Sequence, residues 1–464
     1  MKNLFKKYIF ALVLSLCLLT YNSIPACCSP IETNNIPNWP AGPELDAEAA
    51  FLFEANTGVV LYAKNIHEHL YPASTTKLMT ALLAAENSQM DEIVEFSYDS
   101  VFSLEPGSSN MGIDPGQALP MSECLYGIMV ASANEVANAV AEHVAGDMDS
   151  FVKMMNDRAK ALGLKDTHFT NANGLMDEKH YTSAYDLGMI AREAFNNENL
   201  TRVVNTSNHH FEPTDRQPDD FYVRNKHKLI NGEIPYPGVK GGKTGFTSES
   251  RETLVTCAEN NGMRLICVIL KEESPEQFND TVKLFDYGFS NFAVANVSEN
   301  ETGYAIQSTN FFPTTVDILG NSDQILELNP DKYIILPKNI SFSDLTTKVT
   351  YETNDESDVA YIEYSYNGAY LGNGSVRFSD KKPITSAFDS NLTEYVDEKP
   401  IEKKEPVFIN ILYICTYVVL GIIILSIISL VHSYLVNYNL LDNMKDRRRT
   451  RRRRIRKDRG GLKF

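Results

Sequence analysis

The 464-residue sequence predicts an α/β protein: a mixed sheet flanked by helices with an inserted helical lobe, then a small all-β domain and one C-terminal transmembrane helix. Three observations predict this class. Strand-like apolar runs lie early and late in the first 295 residues, with helical periodicity between them. Short strand-like runs separated by Asn, Asp and Gly turns fill 303–385. A run at 407–433 is almost wholly apolar and long enough to cross a bilayer as a helix.

The first unit, predicted at 40–295, begins with strands at 47–53 and 59–62 around the turn Asn56-Thr57-Gly58. Helical spacing of apolar residues then predicts helices at 75–85, 150–162 and 183–195, and a helical stretch at 121–144 that divides near Ala131-Ser132. A hairpin around Asn261-Gly262, with strands at 253–257 and 264–270, and a helix at 275–285 complete the unit. Early and late strands are therefore expected to share one sheet.

The two ends of the chain predict targeting and anchoring segments. Residues 1–26 read as a signal peptide, because Lys2, Lys6 and Lys7 precede an apolar run and small residues surround Ala26. A lipoprotein with an acylated Cys27 is the open alternative. We expect a linker at 386–406, the membrane span at 407–433 and a basic cytoplasmic tail at 434–464. The body of the protein would then lie outside the cytoplasmic membrane of the cell, held by a single span.

Charge excludes one class of partner. The net charge is −17, although residues 440–464 hold 12 Lys or Arg against three Asp, so the body of the protein is strongly acidic. An acidic body repels the phosphate backbone, and we expect no nucleic-acid partner. The basic cluster follows the predicted span directly, as the positive-inside rule requires of a cytoplasmic flank.

The seven cysteines do not form a disulfide framework. Only Cys124, Cys257 and Cys267 fall in the predicted folded body. Buried free thiols are the favoured interpretation, and a bridge between Cys257 and Cys267 across the predicted hairpin is the alternative.

Three short motifs occur in one order along the chain: Ser74-Thr75-Thr76-Lys77, Ser132-Ala133-Asn134 and Lys243-Thr244-Gly245. The patterns S-x-x-K and S-x-N each recur elsewhere in the chain, so either one alone indicates little. In this order, and each on a suitable element, they indicate a serine acyl-transfer site in which lysine replaces histidine as the base.

The first motif suits a nucleophile and its base. Ser74 and Lys77 are three residues apart at a predicted helix start, so they share one face. The helix N-terminus favours negative charge developing at Ser74. Lys77 acts as a base near neutral pH only if burial or a nearby cation lowers its pKa, and Lys243 could be that cation. Taken alone, a capping serine with a surface lysine is the commoner interpretation of S-x-x-K.

The other two motifs suit proton transfer and substrate binding. Ser132 could relay a proton from Lys77 to the leaving amine and Asn134 could hold the substrate amide, although a structural serine bonded to its own backbone stays open. We expect Lys243 and Thr244 to precede a strand and to bind a carboxylate. Gly245 would let a substrate backbone lie close to that strand. A glycine-rich turn with an exposed lysine is the alternative.

These residues resemble the serine D-alanyl-D-alanine carboxypeptidases, the low-molecular-mass penicillin-binding proteins of peptidase family S11. The resemblance extends from about Glu44 to Phe292. Stretches that carry it beyond the three motifs are Phe53-Glu54-Ala55-Asn56-Thr57-Gly58, Tyr71-Pro72-Ala73, Asn171-Ala172-Asn173-Gly174-Leu175, Ser183-Ala184-Tyr185-Asp186-Leu187 and Met263-Arg264-Leu265-Ile266.

The resemblance implies a penicillin-binding-protein or β-lactamase-like fold and a role for each residue. Ser74 would form the acyl-enzyme, Lys77 would accept its proton and Ser132 would assist proton transfer. Asn134, Lys243, Thr244 and Gly245 would bind substrate, and the backbone N–H groups of Ser74 and Phe246 would form the oxyanion hole. Implied partners are peptidoglycan stem peptides ending in D-Ala-D-Ala, β-lactams as inhibitors and the cytoplasmic membrane. No metal or cofactor is implied.

Three departures from the family pattern are visible. His227 stands where the family tends to have the second asparagine of an Asn-x-Asn-x-Leu stretch. The 303–385 region resembles the family's second domain only loosely, and many relatives end in an amphipathic surface helix rather than a span. The first two departures bear on specificity, and the third bears only on how the enzyme is held.

Other functions fit the same motifs less well. A β-lactamase of class A needs a glutamate in a Glu-x-x-Leu-Asn-type stretch, which Glu198-Asn199-Leu200 does not provide. A DD-endopeptidase or transpeptidase would use the same residues. A non-catalytic, membrane-anchored peptidoglycan-binding protein would not need all of Ser74, Lys77 and Lys243. The chain has neither H-E-x-x-H nor G-x-S-x-G, which argues against a metalloprotease and an α/β-hydrolase.

Overall fold

A computed structural model describes residue 33 and residues 36–302, 326–351 and 357–378. The predicted signal peptide, linker, membrane span and basic tail lie outside the described residues. Within those described ranges, no helix combines the length and the apolar character needed to cross a membrane.

Early and late strands do share one sheet, as predicted. Its order is β2-β1-β9-β8-β7, and every neighbouring pair is antiparallel. The prediction of a mixed sheet was therefore wrong. The reason is that β1–β2 and β7–β8–β9 are consecutive hairpins, and β9 runs antiparallel to β1. The strands are β1 (Ala49–Glu54), β2 (Val60–Lys64), β7 (Val239–Thr247), β8 (Arg251–Asn260) and β9 (Met263–Glu272).

The predicted Asn-Gly turn between β8 and β9 is present. Asn261 and Gly262 both have positive φ, at 49° and 76°, as a type I′ turn requires. Along β1, alternate side chains enter the two hydrophobic layers of the sheet. Phe51 and Phe53 face the helical lobe, whereas Leu52 faces the helix at Glu276–Asn291 on the other side of the sheet. Both faces of the sheet are covered by hydrophobic side chains, so the sheet lies buried in the middle of this unit.

The helical lobe lies in sequence between β2 and β7. Its caps follow from local sequence: Asp147 accepts the Ser150 N–H at 2.7 Å, and Ser183 accepts the Asp186 N–H at 3.2 Å. The lobe helices are α1 (Lys77–Asn87), α2 (Tyr98–Phe102), α3 (Met121–Tyr126), α4 (Asn134–Ala145), α5 (Met148–Ala161), α6 (Ala184–Asn196), α7 (Glu198–Thr201) and α8 (Lys228–Asn231). Two small two-stranded sheets accompany them: β3 (Ile93–Glu95) with β4 (Ala118–Pro120), and β5 (Asn208–Phe211) with β6 (Phe221–Arg224).

The helix α9 (Glu276–Asn291) covers the other face of the first sheet and extends six residues beyond the predicted end at 285. Gly288 permits this extension, because a Cβ there would lie 2.6 Å from Leu265 Cδ1 and 3.1 Å from Leu52 Cδ2. The absence of a side chain lets the last turns of α9 pack directly on the sheet.

A second antiparallel sheet, with six strands among the described residues, follows α9. Its order is β10-β12-β15-β14-β13, and β11 pairs with β15. A separately folded β domain at 303–385 is not established, because Phe292, Ile335 and Leu371 of this sheet belong to the same hydrophobic layer as Leu52. The remaining elements are β10 (Phe292–Asn296), α10 (Val297–Asn300), β11 (Leu326–Leu328), β12 (Tyr333–Pro337), β13 (Thr346–Thr350), β14 (Asp358–Tyr366) and β15 (Ala369–Phe378).

The three body cysteines are buried free thiols, as predicted. Cys257 pairs in register with Ile266, and Cys267 pairs with Thr256. The two cysteines therefore point to opposite faces of the sheet, and a bridge between them is excluded by the register. Burial raises the pKa of all three thiols, which keeps them protonated and unreactive.

Candidate active site

Ser74 lies on a 3₁₀ turn, Ala73–Thr76, that leads directly into α1. Ala73 has a φ of 48°, a left-handed conformation that is costly for alanine. The carbonyl of Pro72 holds this turn from two sides, since it accepts the Thr75 hydroxyl at 2.6 Å and the Thr253 hydroxyl at 2.9 Å. The turn is thus fixed to β8, and Ser74 is left partly exposed at its tip.

His180 is hydrogen-bonded to Thr76, the last residue of the same turn. It is 1% exposed, and its Nδ1 accepts the Thr170 N–H at 3.1 Å. The proton is therefore on Nε2, which donates to Thr76 Oγ1 at 2.8 Å. Burial lowers the pKa of His180 to about 4, so the imidazole is neutral and the bond to Thr76 is maintained at neutral pH.

Lys77 reaches the nucleophile. Its ammonium nitrogen donates to Ser74 Oγ at 3.0 Å, to Asn134 Oδ1 at 2.6 Å and to the Asn173 carbonyl at 2.6 Å. The side chain is fully buried. Burial is the main reason that its pKa lies well below the ordinary value, and the charge of Lys243 lowers it further. The pair therefore has the geometry and the electrostatics of a serine nucleophile with a lysine base.

Lys243 is a second buried lysine of the site. Its Nζ donates to Ser132 Oγ at 2.9 Å and to the Thr244 carbonyl at 2.7 Å. Burial, followed by the charge of Lys226, lowers the pKa of Lys243 to about 7. When Lys243 is protonated, its charge lowers the pKa of Lys77, which is the effect predicted from the sequence.

The prediction that the third motif precedes a strand was wrong. Lys243-Thr244-Gly245 lies in the middle of β7. The glycines around it serve close packing rather than a turn: a Cβ at Gly245 would lie 2.8 Å from Ser74 N, and one at Gly242 would lie 2.5 Å from His227 Nε2. Such spacing brings β7 against the nucleophile turn.

Ser132 lies at the predicted break between helices. A π-helical turn, Gly127–Ala131, ends at Ser132, whose φ of 59° is left-handed, and α4 starts at Asn134. This strained backbone turns both motif side chains toward the lysines. Ser132 is hydrogen-bonded to Lys243 and Asn134 to Lys77, so each motif residue is associated with a different lysine.

The eight residues predicted for the site come together around one cleft of about 460 Å³. Lys77 and Lys243 lie buried beneath it. Gly107, Ser108 and Ser109 add to its lining. The six predicted residues that line it are Ser74, Ser132, Asn134, Thr244, Gly245 and Phe246.

Three residues of the site were missed by sequence reasoning. Asn173 contributes its main-chain carbonyl to Lys77, Lys226 donates to Ser109 Oγ at 2.8 Å on the cleft wall, and Glu135 acts on Lys77 electrostatically. All three lie in or beside stretches singled out in the sequence. Asn173 contributes only a main-chain atom and Glu135 acts on Lys77 only through its charge, so neither leaves a mark in a motif. Lys226 reaches Ser109 across 117 positions of sequence, beyond the range of a local pattern.

His227, the departure from the family pattern, does not line the cleft. It is buried beneath β7, where its Nε2 and Thr256 Oγ1 form a hydrogen bond of 2.8 Å. Burial lowers the pKa of His227 to about 3. Its ring occupies the space that the missing side chain of Gly242 leaves. His227 therefore packs against β7 rather than lining the cleft.

Among the residues that the structure describes, no three His, Cys, Asp or Glu side chains are arranged to hold a metal ion. That the reaction needs neither metal nor cofactor stays a prediction.

We expect Lys243 to give stability a measurable dependence on pH. Between pH 7 and about 10.5 the unfolded lysine holds a proton that the folded one has lost, so the free energy of unfolding should rise with pH. Relative to Lys243→Met, the wild type should gain up to about 1.4 kcal/mol per pH unit in this window. Urea unfolding of both proteins at pH 6 to 10 measures the difference. A difference that does not change with pH would contradict the lowered pKa.

Comparisons with known proteins agree with this geometry. The profile of the peptidase S11 family, described as D-alanyl-D-alanine carboxypeptidase, matches residues 36–274. The chain is 39% identical over 251 residues to D-alanyl-D-alanine carboxypeptidase DacF of Bacillus subtilis, covering 53% of this chain and 63% of that protein. It is 31% identical over 278 residues to D-alanyl-D-alanine carboxypeptidase DacD of Escherichia coli, covering 58% of this chain and 70% of that protein.

A solved structure extends the likeness to the fold. Penicillin-binding protein 6B from Escherichia coli superimposes with a TM-score of 0.56 and 26% sequence identity, over 74% of this chain and 98% of that one. The family profile spans more than half of the sequence, and the three motifs of the cleft lie within it. The chain therefore belongs to the peptidase S11 family of D-alanyl-D-alanine carboxypeptidases.

Proposed function

We propose that this protein removes the terminal D-alanine from peptidoglycan stem peptides through an acyl-enzyme on Ser74, and that penicillins acylate the same serine. The observation that carries the proposal is the 3.0 Å hydrogen bond between the buried Lys77 Nζ and Ser74 Oγ. A buried lysine with a lowered pKa can be neutral, and a neutral amine at this distance can take the serine proton.

Acylation begins at the serine hydroxyl. Ser74 Oγ attacks the carbonyl carbon of the penultimate D-alanine while its proton passes to Lys77. The backbone N–H groups of Ser74 and Phe246 stabilise the oxyanion, each contributing about 3 kcal/mol. The close approach of Gly245 to Ser74 N supports this pairing of donors. The peptide C–N bond breaks, D-alanine leaves as a protonated amine, and the acyl group stays on Ser74.

Proton delivery to the leaving amine involves Ser132. Its hydroxyl, which accepts a hydrogen bond from Lys243, relays the proton that Lys77 took from Ser74 to the departing nitrogen, so that Lys77 is neutral again. Thr244 lies on the same cleft and, with the positive charge of Lys243, binds the terminal carboxylate. Water then attacks the ester and gives a proton to Lys77. The bond to Ser74 Oγ breaks, Lys77 returns the proton to that oxygen, and the shortened peptide is released.

For location, we propose a secreted body tethered by the span at 407–433. The support comes from the sequence: an N-terminal signal pattern, a long apolar run and an arginine-rich flank behind it. This arrangement would place the cleft on the side of the membrane where peptidoglycan lies.

The test uses the full chain in detergent with two probes, a D-Ala-D-Ala-terminated peptide and a labelled penicillin. The expected result is D-alanine release and a stable covalent label, and Ser74→Ala should abolish both. A wild-type protein that neither releases D-alanine nor becomes labelled would contradict the proposal. Fast penicillin hydrolysis with little D-alanine release would indicate a β-lactamase, and release that depends on an added amino acceptor would indicate a transpeptidase.

A further inference from the structure

Glu135 is a buried carboxylate beside the site that the proposed chemistry does not use. It follows Asn134 in the first turn of α4 and is 1% exposed. One of its oxygens, Oε1, accepts the N–H of Met111 at 2.6 Å and that of Gly112 at 3.2 Å. These two main-chain donors hold Oε1, whereas Oε2 has no hydrogen-bond partner among the described residues.

Those donors belong to the loop at 103–117 that forms one wall of the cleft. Gly107, Ser108 and Ser109 of this loop line the cleft. The carbonyl of Ser109 accepts the Asn134 N–H at 2.9 Å, and its hydroxyl accepts Lys226 at 2.8 Å. Glu135 and its neighbour Asn134 therefore attach the wall to the start of α4. The side chain of Asn134 also accepts a hydrogen bond from Lys77.

Glu135 is also the acidic group in a cluster of lysines. The charged groups that act on Lys77 are Lys243 of β7, Lys226 of the segment before α8, and Glu135 of α4. The two lysines favour a neutral Lys77, whereas Glu135 favours a protonated one. Burial raises the pKa of Glu135 itself, and the main-chain N–H groups oppose that rise.

We propose that Glu135 is a positioning residue with two effects: its hydrogen bonds hold the cleft wall for the substrate, and its charge sets the pH at which Lys77 becomes a base. This inference rests on the proposed function, since both effects concern acylation of Ser74. It gives the residue next to Asn134 a role that the three motifs do not describe.

The test separates charge from shape. In Glu135→Gln the amide oxygen can still accept from Met111 and Gly112, but the negative charge is lost. The acylation rate with labelled penicillin, measured from pH 5 to 10, should keep its plateau while its acid limb moves about one pH unit lower. Glu142→Gln, on the same helix, is the matched control for net charge and should leave the limb in place.

A second variant tests the wall. Glu135→Ala removes the acceptor, and KM for the D-Ala-D-Ala peptide should rise about tenfold, the scale of one lost charged hydrogen bond, with a smaller change in kcat. An unmoved limb in Glu135→Gln overturns the role of the charge, and an unchanged KM in Glu135→Ala overturns the role of the wall. If Glu135→Ala does not fold, Glu135→Gln still decides the role of the charge. Its KM should be near the wild-type value, because the amide oxygen still accepts the main-chain hydrogen bonds, and a tenfold higher KM would overturn the role of the wall. A wild type that is never acylated would instead overturn the proposed function.

Discussion

Lys77→Arg is expected to slow the acylation of Ser74 by labelled penicillin at least about a thousandfold at pH 8, within the range that a general base contributes. The guanidinium stays protonated at every accessible pH, so it cannot accept the serine proton. The site also favours a small amine: Lys77 is fully buried and its Nζ contacts three acceptors between 2.6 and 3.0 Å.

Lys240→Arg is the matched control. Lys240 lies on β7, three residues before Lys243, but it is exposed and pairs with Glu259 at 3.7 Å. Its replacement should leave acylation unchanged. A folded Lys77→Arg protein, verified by circular dichroism, that acylates at the wild-type rate would show that the serine proton goes elsewhere, and Lys243 would become the first candidate.

Much of this site could be predicted because its elements are encoded locally. Apolar spacing identified the helix behind Ser74, and the change of pattern near Ala131-Ser132 identified the break that the left-handed Ser132 makes. The Asn-Gly turn fixed the β8–β9 hairpin. Each of these signals depends on residues within a few positions of one another, which is the range over which a single sequence is informative.

The errors arose where a residue's role depends on a distant partner. Lys243 was expected before a strand, with a glycine-rich turn as the alternative. Instead it lies within β7, where Val204 and His227 fill the space beside Gly241 and Gly242. The Asn173 carbonyl reaches Lys77 across 96 positions of sequence, and a main-chain acceptor has no residue preference. Sheet direction was also wrong, because strand pairing is set by topology and not by periodicity.

The glycine that follows Asn173 shows how strongly such distant contacts constrain the nucleophile. Gly174 has a φ of 87°, and a Cβ there would lie 1.9 Å from the carbonyl oxygen of Ala73 and 2.9 Å from Thr76 Oγ1. These two residues flank Ser74 and Thr75 on the 3₁₀ turn. Any side chain at position 174 must therefore displace either its own loop or the turn that presents the serine.

We expect Gly174→Ala to reduce acylation by about a hundredfold or more, the scale of a roughly 1 Å misplacement of a reacting group. The free energy of unfolding should fall by about 2 to 4 kcal/mol, since left-handed strain and a main-chain clash add together. Labelled-penicillin kinetics and urea unfolding measure the two effects.

Gly163→Ala separates strain from clash. Gly163 also has a left-handed φ, at 76°, but a Cβ at this position would have no neighbour within 4 Å, and the residue follows α5 far from the turn in sequence. Its replacement should cost about 1 kcal/mol of stability and leave acylation intact. If Gly174→Ala behaves like Gly163→Ala, the contact with Ala73 does not hold the nucleophile. If only Gly174→Ala loses acylation, the Ala73 carbonyl is the point through which this loop fixes the position of Ser74.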